Sequence, residues 1–128
     1  MEKKYSKYIA TDIPKMVQLE GHHAPAPFWV SPDVFPEVEL GVVAVDVGKL
    51  VGREVADPHS HGCPELYMAI SAERGDMVFE VTLEDETYTV ESPMAVFIPT
   101  GMKHKFKTVK ADKGGYFFGI LLDYAKCL

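Results

Sequence analysis

Two short segments of this chain carry side chains that together could bind a metal ion. The first, His59-Ser60-His61-Gly62-Cys63-Pro64-Glu65, has two imidazoles at positions i and i+2 and then a carboxylate. Because successive side chains of an extended strand point to opposite faces, the two imidazoles are expected to point the same way. The second segment, Pro99 to His104, adds a third imidazole. Neutral imidazole and carboxylate oxygen suit divalent transition metals such as iron, manganese, nickel or zinc.

Short strands separated by turn residues surround these segments. Many short strands punctuated by Gly, Pro and Asp are typical of an all-β sandwich or barrel. In 103–109 the lysines alternate with His104 and Phe106, which predicts that His104 points inward, opposite a solvated face. We predict strands over 38–47 (buried on both faces), 59–61, 65–71, 77–83, 87–90, 95–98, 103–109 and 115–122.

Composition sets the class of protein. A chain of 128 residues is long enough for one hydrophobic core and too short for two ordinary domains. The formal net charge of -6 argues against nucleic acid as a partner, because a phosphate backbone needs a concentrated basic surface. No stretch approaches the roughly 20 apolar residues of a membrane span. The charged N-terminus lacks the apolar run of a signal peptide, so we expect a cytoplasmic protein.

The N-terminal third differs from the rest of the chain. Four prolines between Gly21 and Glu37 favour an extended arm rather than a helix. We therefore divide the chain into an arm over 1–37 and a β-barrel over 38–128, within one domain overall. His22 and His23 lie in this arm, match no motif and are expected to be exposed. Cys63 and Cys127 do not make a disulfide framework, so free thiols are expected.

Taken together, the two motifs resemble those of small single-domain cupins. In that family the first motif has the form HxH, three or four residues, then Glu, and His59, His61 and Glu65 match it. The second motif has the form PxGxxH, and Pro99, Gly101 and His104 match it. The resemblance covers about 38–122 and implies a double-stranded β-helix, or jelly-roll barrel. It also implies that one divalent transition metal (Fe, Mn, Ni or Zn) is bound by His59, His61, Glu65 and His104, with one or two open coordination positions.

Three positions depart from the family pattern. The glycine expected soon after the motif glutamate is displaced to Gly75, the glycine that opens the second motif is replaced by Pro93, and Thr108 replaces a late asparagine. These changes alter turns more than ligands. Gly101 is expected to serve the turn before His104, where a residue without Cβ tolerates positive φ.

The pocket beside the metal is expected to be aromatic and apolar. Tyr67 lies two residues after Glu65 and so points to the same face of the strand. It is therefore the residue that we most expect to contact a substrate or one of the side chains that bind the metal. Because the chain has only two arginines, phosphorylated or strongly acidic substrates are disfavoured. The candidates for lining the pocket are Tyr67, Phe106, Phe79 and Met102, with Met68 and Tyr88.

The ligand set is similar to that of oxygen-using cupins, so our leading hypothesis is a metal-dependent dioxygenase acting on a small organic molecule. The same ligands also serve non-redox cupins, in which the metal acts as a Lewis acid for isomerisation or decarboxylation. Two further hypotheses are a cupin that binds a metal or small ligand without turnover and a metal-free structural protein. We also predict a homodimer, by resemblance and because Phe28, Trp29 and Val30 of the arm would otherwise be exposed.

Overall fold

Two antiparallel β-sheets contain most of the regular secondary structure in this computed structural model, which describes residues 3–128. Met1 and Glu2, which begin the N-terminus assessed for a signal peptide, lie outside the described residues. The strands are β1 (Lys15–Val17), β2 (Ala26–Val30), β3 (Gly41–Asp46), β4 (Glu65–Ala69), β5 (Val78–Leu83), β6 (Glu86–Glu91), β7 (Met94–Ile98), β8 (His104–Lys110) and β9 (Tyr116–Leu121). A helix, α1 (Tyr124–Cys127), follows β9. The predicted all-β jelly-roll class is confirmed.

The sheets face each other across the main core. One sheet has six strands in the order β1-β2-β3-β9-β4-β7, and the other has three in the order β6-β5-β8. Alternate residues of β4, β5 and β9 are buried; in β5, for example, Phe79 and Val81 point inward and Glu80 does not. The core between the sheets contains Val47, Tyr67, Ala69, Met77, Phe79, Val81, Ile98, Ala111 and Phe117.

Two predicted strands differ from those observed. The valine-rich strand ends at Asp46 because its side chain accepts a hydrogen bond from the Gly48 amide and starts a 3₁₀ turn over Val47–Lys49. The segment 59–61 is not a strand, since only His59 forms a bridge, to His104. Gly62 and Pro64 follow directly, and proline has no amide to extend a ladder.

The arm is a structural part of the larger sheet. Its strands β1 and β2 pair with each other, and β2 pairs with β3. Phe28 is completely buried and packs edge-on against Tyr124, with ring centroids 5.3 Å apart. The Trp29 indole donates to the Ala44 carbonyl at 2.8 Å. The expectation that Phe28, Trp29 and Val30 would be exposed without a partner chain is therefore wrong, because the sheet of the same chain covers them.

The expectation of free thiols is also wrong. Cys63 and Cys127 form a disulfide across a sequence separation of 64 residues, with their Cα atoms 5.5 Å apart. The bond fastens α1 to the turn before β4, beside a second apolar cluster that includes Leu19, Phe28 and Leu121. Two cysteines so far apart in sequence carry no pairing signal, since only the fold brings them within bonding distance. Within residues 3–128, no helix is long and apolar enough to cross a membrane.

Candidate metal centre

Backbone hydrogen bonds bring the two motif segments together. His59 and His104 exchange two of them, from the His59 amide at 3.1 Å and from the His104 amide at 2.8 Å. The Gly101 amide donates to the His61 carbonyl at 3.1 Å. Gly101 has φ of +83°, the left-handed conformation expected of the turn before His104. The two imidazoles of the first motif thus converge with the third through this bridge and turn, without a regular strand over 59–61.

The three imidazoles form one compact group. Ring centroids lie 4.5 Å apart for His59 and His104, 5.0 Å for His59 and His61, and 5.1 Å for His61 and His104. One nitrogen from each ring lies within 4.8 Å of the other two. Because a metal–imidazole bond is about 2.1 Å long, two nitrogens on one metal lie at most about 4.2 Å apart. The three rings need only a small movement to bind one ion.

Hydrogen bonds on the far side of two rings leave the correct nitrogen free. Nδ1 of His59 lies 2.7 Å from the Asp57 carbonyl oxygen, and Nδ1 of His104 lies 2.8 Å from that of Met102. A carbonyl oxygen only accepts, so each Nδ1 carries the proton and donates it. In the neutral rings, Nε2 therefore keeps its lone pair. This arrangement fixes the tautomer and orientation of metal-binding histidines.

Glu65 places a carboxylate oxygen beside two of the three imidazoles. Its Oε1 lies 2.8 Å from Nε2 of His104 and 3.3 Å from Nε2 of His61. Glu65 Oε1 and His104 Nε2 are both buried, and neither has a hydrogen bond of suitable geometry within the described part of the chain. Burying two polar atoms without partners is costly, and a cation bound by both atoms would remove that cost. The donor set of three imidazoles and one carboxylate therefore fits a divalent transition metal.

The pKa values agree with a site ready to bind a cation. The pKa of His59 falls to about 4, because burial disfavours its charged form and the other histidines oppose a further positive charge. Burial raises the pKa of Glu65, but the adjacent imidazoles of His104 and His61 stabilise its anion, outweigh burial and bring the value to about 2. A neutral His59 and an ionised Glu65 at neutral pH are the forms that bind metals.

A cavity of about 450 Å³ opens beside these ligands. His59, His61 and Glu65 lie on its wall, so a metal there would have its open positions toward the cavity. Of the described residues that line it, Asp46 and Glu65 are acidic, and none is lysine or arginine. Most of the wall is apolar and comes from both the arm and the sheets; it includes Leu19, Ala26, Trp29, Val43, Val45 and Phe117.

The sequence-predicted pocket residues lie in different places. Tyr67 and Phe106 line the cavity. Phe79 lies in the core between the sheets, and Met102 packs against that core. Tyr88 is exposed, and Met68 points to the outer face of β4. The hydroxyl of Tyr67 has no hydrogen-bond partner among residues 3–128, and burial raises its pKa well above 10, so it is a neutral donor.

His22 is the residue that sequence reasoning missed. It was expected to be exposed, but its ring is half-buried, 4.5 Å from the His59 ring and 6.5 Å from the His61 ring, and lines the cavity. Burial lowers its pKa. His23 is exposed as expected and pairs with Asp57 at 3.0 Å. A Gly/Pro-rich arm gives no periodicity from which to place His22, so only the fold reveals its position.

Comparison with solved structures identifies the architecture. AerE from Microcystis aeruginosa matches with a TM-score of 0.60 at 15% identity, over 85% of this chain and 45% of that one. A cupin protein from Bacteroides fragilis matches with a TM-score of 0.57 at 16% identity, over 93% of this chain and 91% of that one. The iron(II) form of HppE matches with a TM-score of 0.55 at 12% identity, over 88% and 58% of the two chains.

These likenesses establish the fold. The chain spans less than half of AerE and nearly all of the Bacteroides protein, so the shared part is one small barrel. No protein-family model and no curated protein sequence matches the chain. The predicted cupin fold is confirmed by structural likeness, and the grouping of three histidines beside a cavity is consistent with metal binding.

Proposed function

We propose that this chain, which has the fold of a small cupin domain, is a metal-dependent enzyme that acts on a small apolar organic molecule, and specifically a dioxygenase. The observation that carries the proposal is the convergence of three imidazoles and one buried carboxylate beside a mostly apolar cavity, with His59, His61 and Glu65 on its wall. His59, His61, Glu65 and His104 would hold the metal. A metal held there supplies Lewis acidity and, if it is iron or manganese, redox chemistry with dioxygen.

The chain's own residues bind and orient the substrate. Carbonyl groups of Asp57 and Met102 hold the rings of His59 and His104 in place, so the ligands are set before a substrate enters. The Tyr67 hydroxyl, which is neutral and unpartnered within the described chain, would donate a hydrogen bond to a substrate oxygen. Apolar walls from Trp29 and Phe117 exclude water from the substrate body.

The cavity wall favours dioxygenation over the sugar or keto-acid chemistry of non-redox cupins. Sugars need many hydrogen-bond partners, and phosphates or carboxylates need cations, whereas this wall is mostly apolar and has no lysine or arginine among its described residues. Dioxygen is itself apolar. The likeness to a structure named iron(II) HppE supports iron as the first metal to test.

Oxygen uptake is the direct test of dioxygenation. Metal-free protein loaded with Fe²⁺ or Mn²⁺ should consume one O₂ per substrate converted, within a panel of apolar enols, diketones, catechols and thiols. Both oxygen atoms should appear in the product when ¹⁸O₂ is used, with the substrate supplying the four electrons. The Glu65→Gln variant is the control and should be inactive. Isomerisation without oxygen uptake would replace this proposal with the Lewis-acid mechanism, and metal binding without turnover would indicate a binding protein.

We also propose a homodimer, now on a different surface from the arm. Strand register places Phe97, Leu66, Ile120 and Val42 in one row across the outer face of the six-stranded sheet. Phe97 is 58% exposed, and no charged side chain interrupts the row. A second copy would cover this apolar face. Sedimentation should give a dimer mass for the parent and a monomer mass for Phe97→Glu, and a monomeric parent at micromolar concentration would refute the dimer.

Cytoplasmic location stays a prediction, and the redox state of the two cysteines in cells tests it. Cytosolic glutathione and thioredoxin keep most thiols reduced, whereas Cys63 and Cys127 are bonded here. Acid trapping and alkylation of the protein from intact cells will measure its thiols. Two free thiols per chain would agree with the cytoplasm, and none would indicate an oxidising compartment.

A further inference from the structure

The backbone around His22 holds this part of the arm against the metal centre. The His22 amide donates to the Leu19 carbonyl at 3.2 Å, and the Asp57 amide donates to the Gly21 carbonyl at 2.8 Å. His22 also bridges to Ala56, three residues before His59. The arm is thus fastened to the segment that leads into the first metal-binding motif, and the position of His22 is set by the fold.

The His22 ring has one nitrogen engaged and one free. Nδ1 lies 3.2 Å from the Glu20 carbonyl oxygen and therefore donates to it. In the neutral ring Nε2 keeps its lone pair, and it has no hydrogen-bond partner among residues 3–128. His22 therefore offers a hydrogen-bond acceptor in a wall that is otherwise mostly apolar.

The position of His22 differs from that of the three grouped histidines. Its ring is 4.5 Å from that of His59 but 6.5 Å from that of His61, and it is not part of the group whose nitrogens lie within 4.8 Å of one another. His22 lines the cavity, as do His59 and His61. It therefore lies beside the side of the centre that faces the cavity, where a small molecule would approach.

We propose that His22 is a positioning residue for the molecule bound at the cavity side of the metal, and that its Nε2 accepts a hydrogen bond from an O–H group of that molecule. This inference rests on the proposed function, since it requires a metal at the centre. It narrows the substrate class to neutral molecules with a hydroxyl next to the oxygen that approaches the metal. The apolar wall formed by residues such as Trp29 and Phe117 accommodates an aromatic or aliphatic body.

A matched pair of probes tests the hydrogen bond. The alcohol 2-hydroxy-1-phenylethanone and its O-methyl ether share the carbonyl and the apolar ring and differ in the O–H group. Their affinities for Co²⁺-loaded protein are measured by titrating the visible Co²⁺ spectrum. One neutral hydrogen bond corresponds to a preference of about 5- to 10-fold for the alcohol in the parent. His22→Ala should abolish this preference, and His22→Gln, whose amide oxygen also accepts, should restore part of it.

His23→Ala is the control, because His23 is the next residue of the arm but is exposed and pairs with Asp57. It should keep the parent preference. Affinity for Co²⁺, measured against a competing chelator, should change less than about 10-fold in His22→Ala, below the effect typical of residues that orient metal ligands.

Three results would overturn the inference: no preference for the alcohol in the parent, an unchanged preference in His22→Ala, or a larger loss of Co²⁺ affinity, which would make His22 a metal ligand or a residue that orients one. A parent that binds no metal would refute the proposed function itself, so the two failures are distinguishable.

Discussion

Removal of the disulfide should destabilise both the fold and the metal centre. The bond between Cys63 and Cys127 closes a loop with a sequence separation of 64 residues. In the chain-entropy treatment, a loop of this length restricts the unfolded chain enough to stabilise the folded state by about 4 kcal/mol at 25 °C. Replacing both cysteines by alanine also removes a buried sulfur at Cys63, which is 2% exposed.

The site is affected because Cys63 lies between two metal ligands in the sequence. His61 and Glu65 flank the turn that the disulfide fastens to α1, and a Cβ atom on Gly62 would collide with the Lys126 carbonyl. The turn and α1 are therefore in close contact. Releasing α1 should let the turn move, so metal affinity should fall together with the free energy of unfolding.

Urea-induced unfolding of metal-free protein is the assay, because a bound metal would add its own stabilisation. The Cys63→Ala, Cys127→Ala double variant should lose about 4 kcal/mol relative to the oxidised parent. Reduced parent is the control and should unfold at nearly the same urea concentration as the double variant. A difference below about 1 kcal/mol between oxidised parent and variant would refute the reasoning.

Two further predictions concern the ligands themselves. A Cβ atom on Gly119 would lie 2.9 Å from Oε2 of Glu65, so Gly119→Ala should displace the carboxylate. Metal affinity, measured by competition with a chelator, should fall about 10-fold or more. An unchanged affinity would contradict the geometry. Because the pKa of His59 is about 4 in the folded chain and 6.5 without the fold, the unfolded chain binds the proton first. The free energy of unfolding of metal-free protein should therefore fall as pH drops from 6.5 toward 4, and it should fall by more in the parent than in His59→Asn. Urea titrations at each pH measure this free energy, and an equal fall in the two proteins would contradict this pKa.

Much of the barrel could be predicted because its strands show their orientation in the sequence. In β8 the lysines alternate with His104 and Phe106, and this alternation requires an inward imidazole. In β5 the alternation of Phe79 and Val81 with polar residues gives the same information. The two motifs identified the histidines that the fold groups together, although the predicted strand over 59–61 is replaced by a bridge and a turn.

The features that escaped prediction depend on contacts between distant parts of the chain. Cys63 and Cys127 become neighbours only when α1 packs against the turn before β4. The hydrogen bond between Gly21 and Asp57 holds His22 beside the cavity, and no periodic pattern in the sequence indicates that bond. The burial of Phe28 follows from pairing of β2 with β3 and from contact with Tyr124. Local sequence patterns report which face of a strand is buried, but they do not report which distant segment covers it.

Metal content tests the central claim most directly. Protein purified without chelator or affinity metal should contain close to one equivalent of iron, manganese, nickel or zinc per chain by elemental analysis. The double variant His59→Ala, His104→Ala should contain none, whereas His23→Ala should match the parent. A parent that is empty and also fails to take up any of these metals when they are added would contradict the account and leave a ligand-binding or structural barrel.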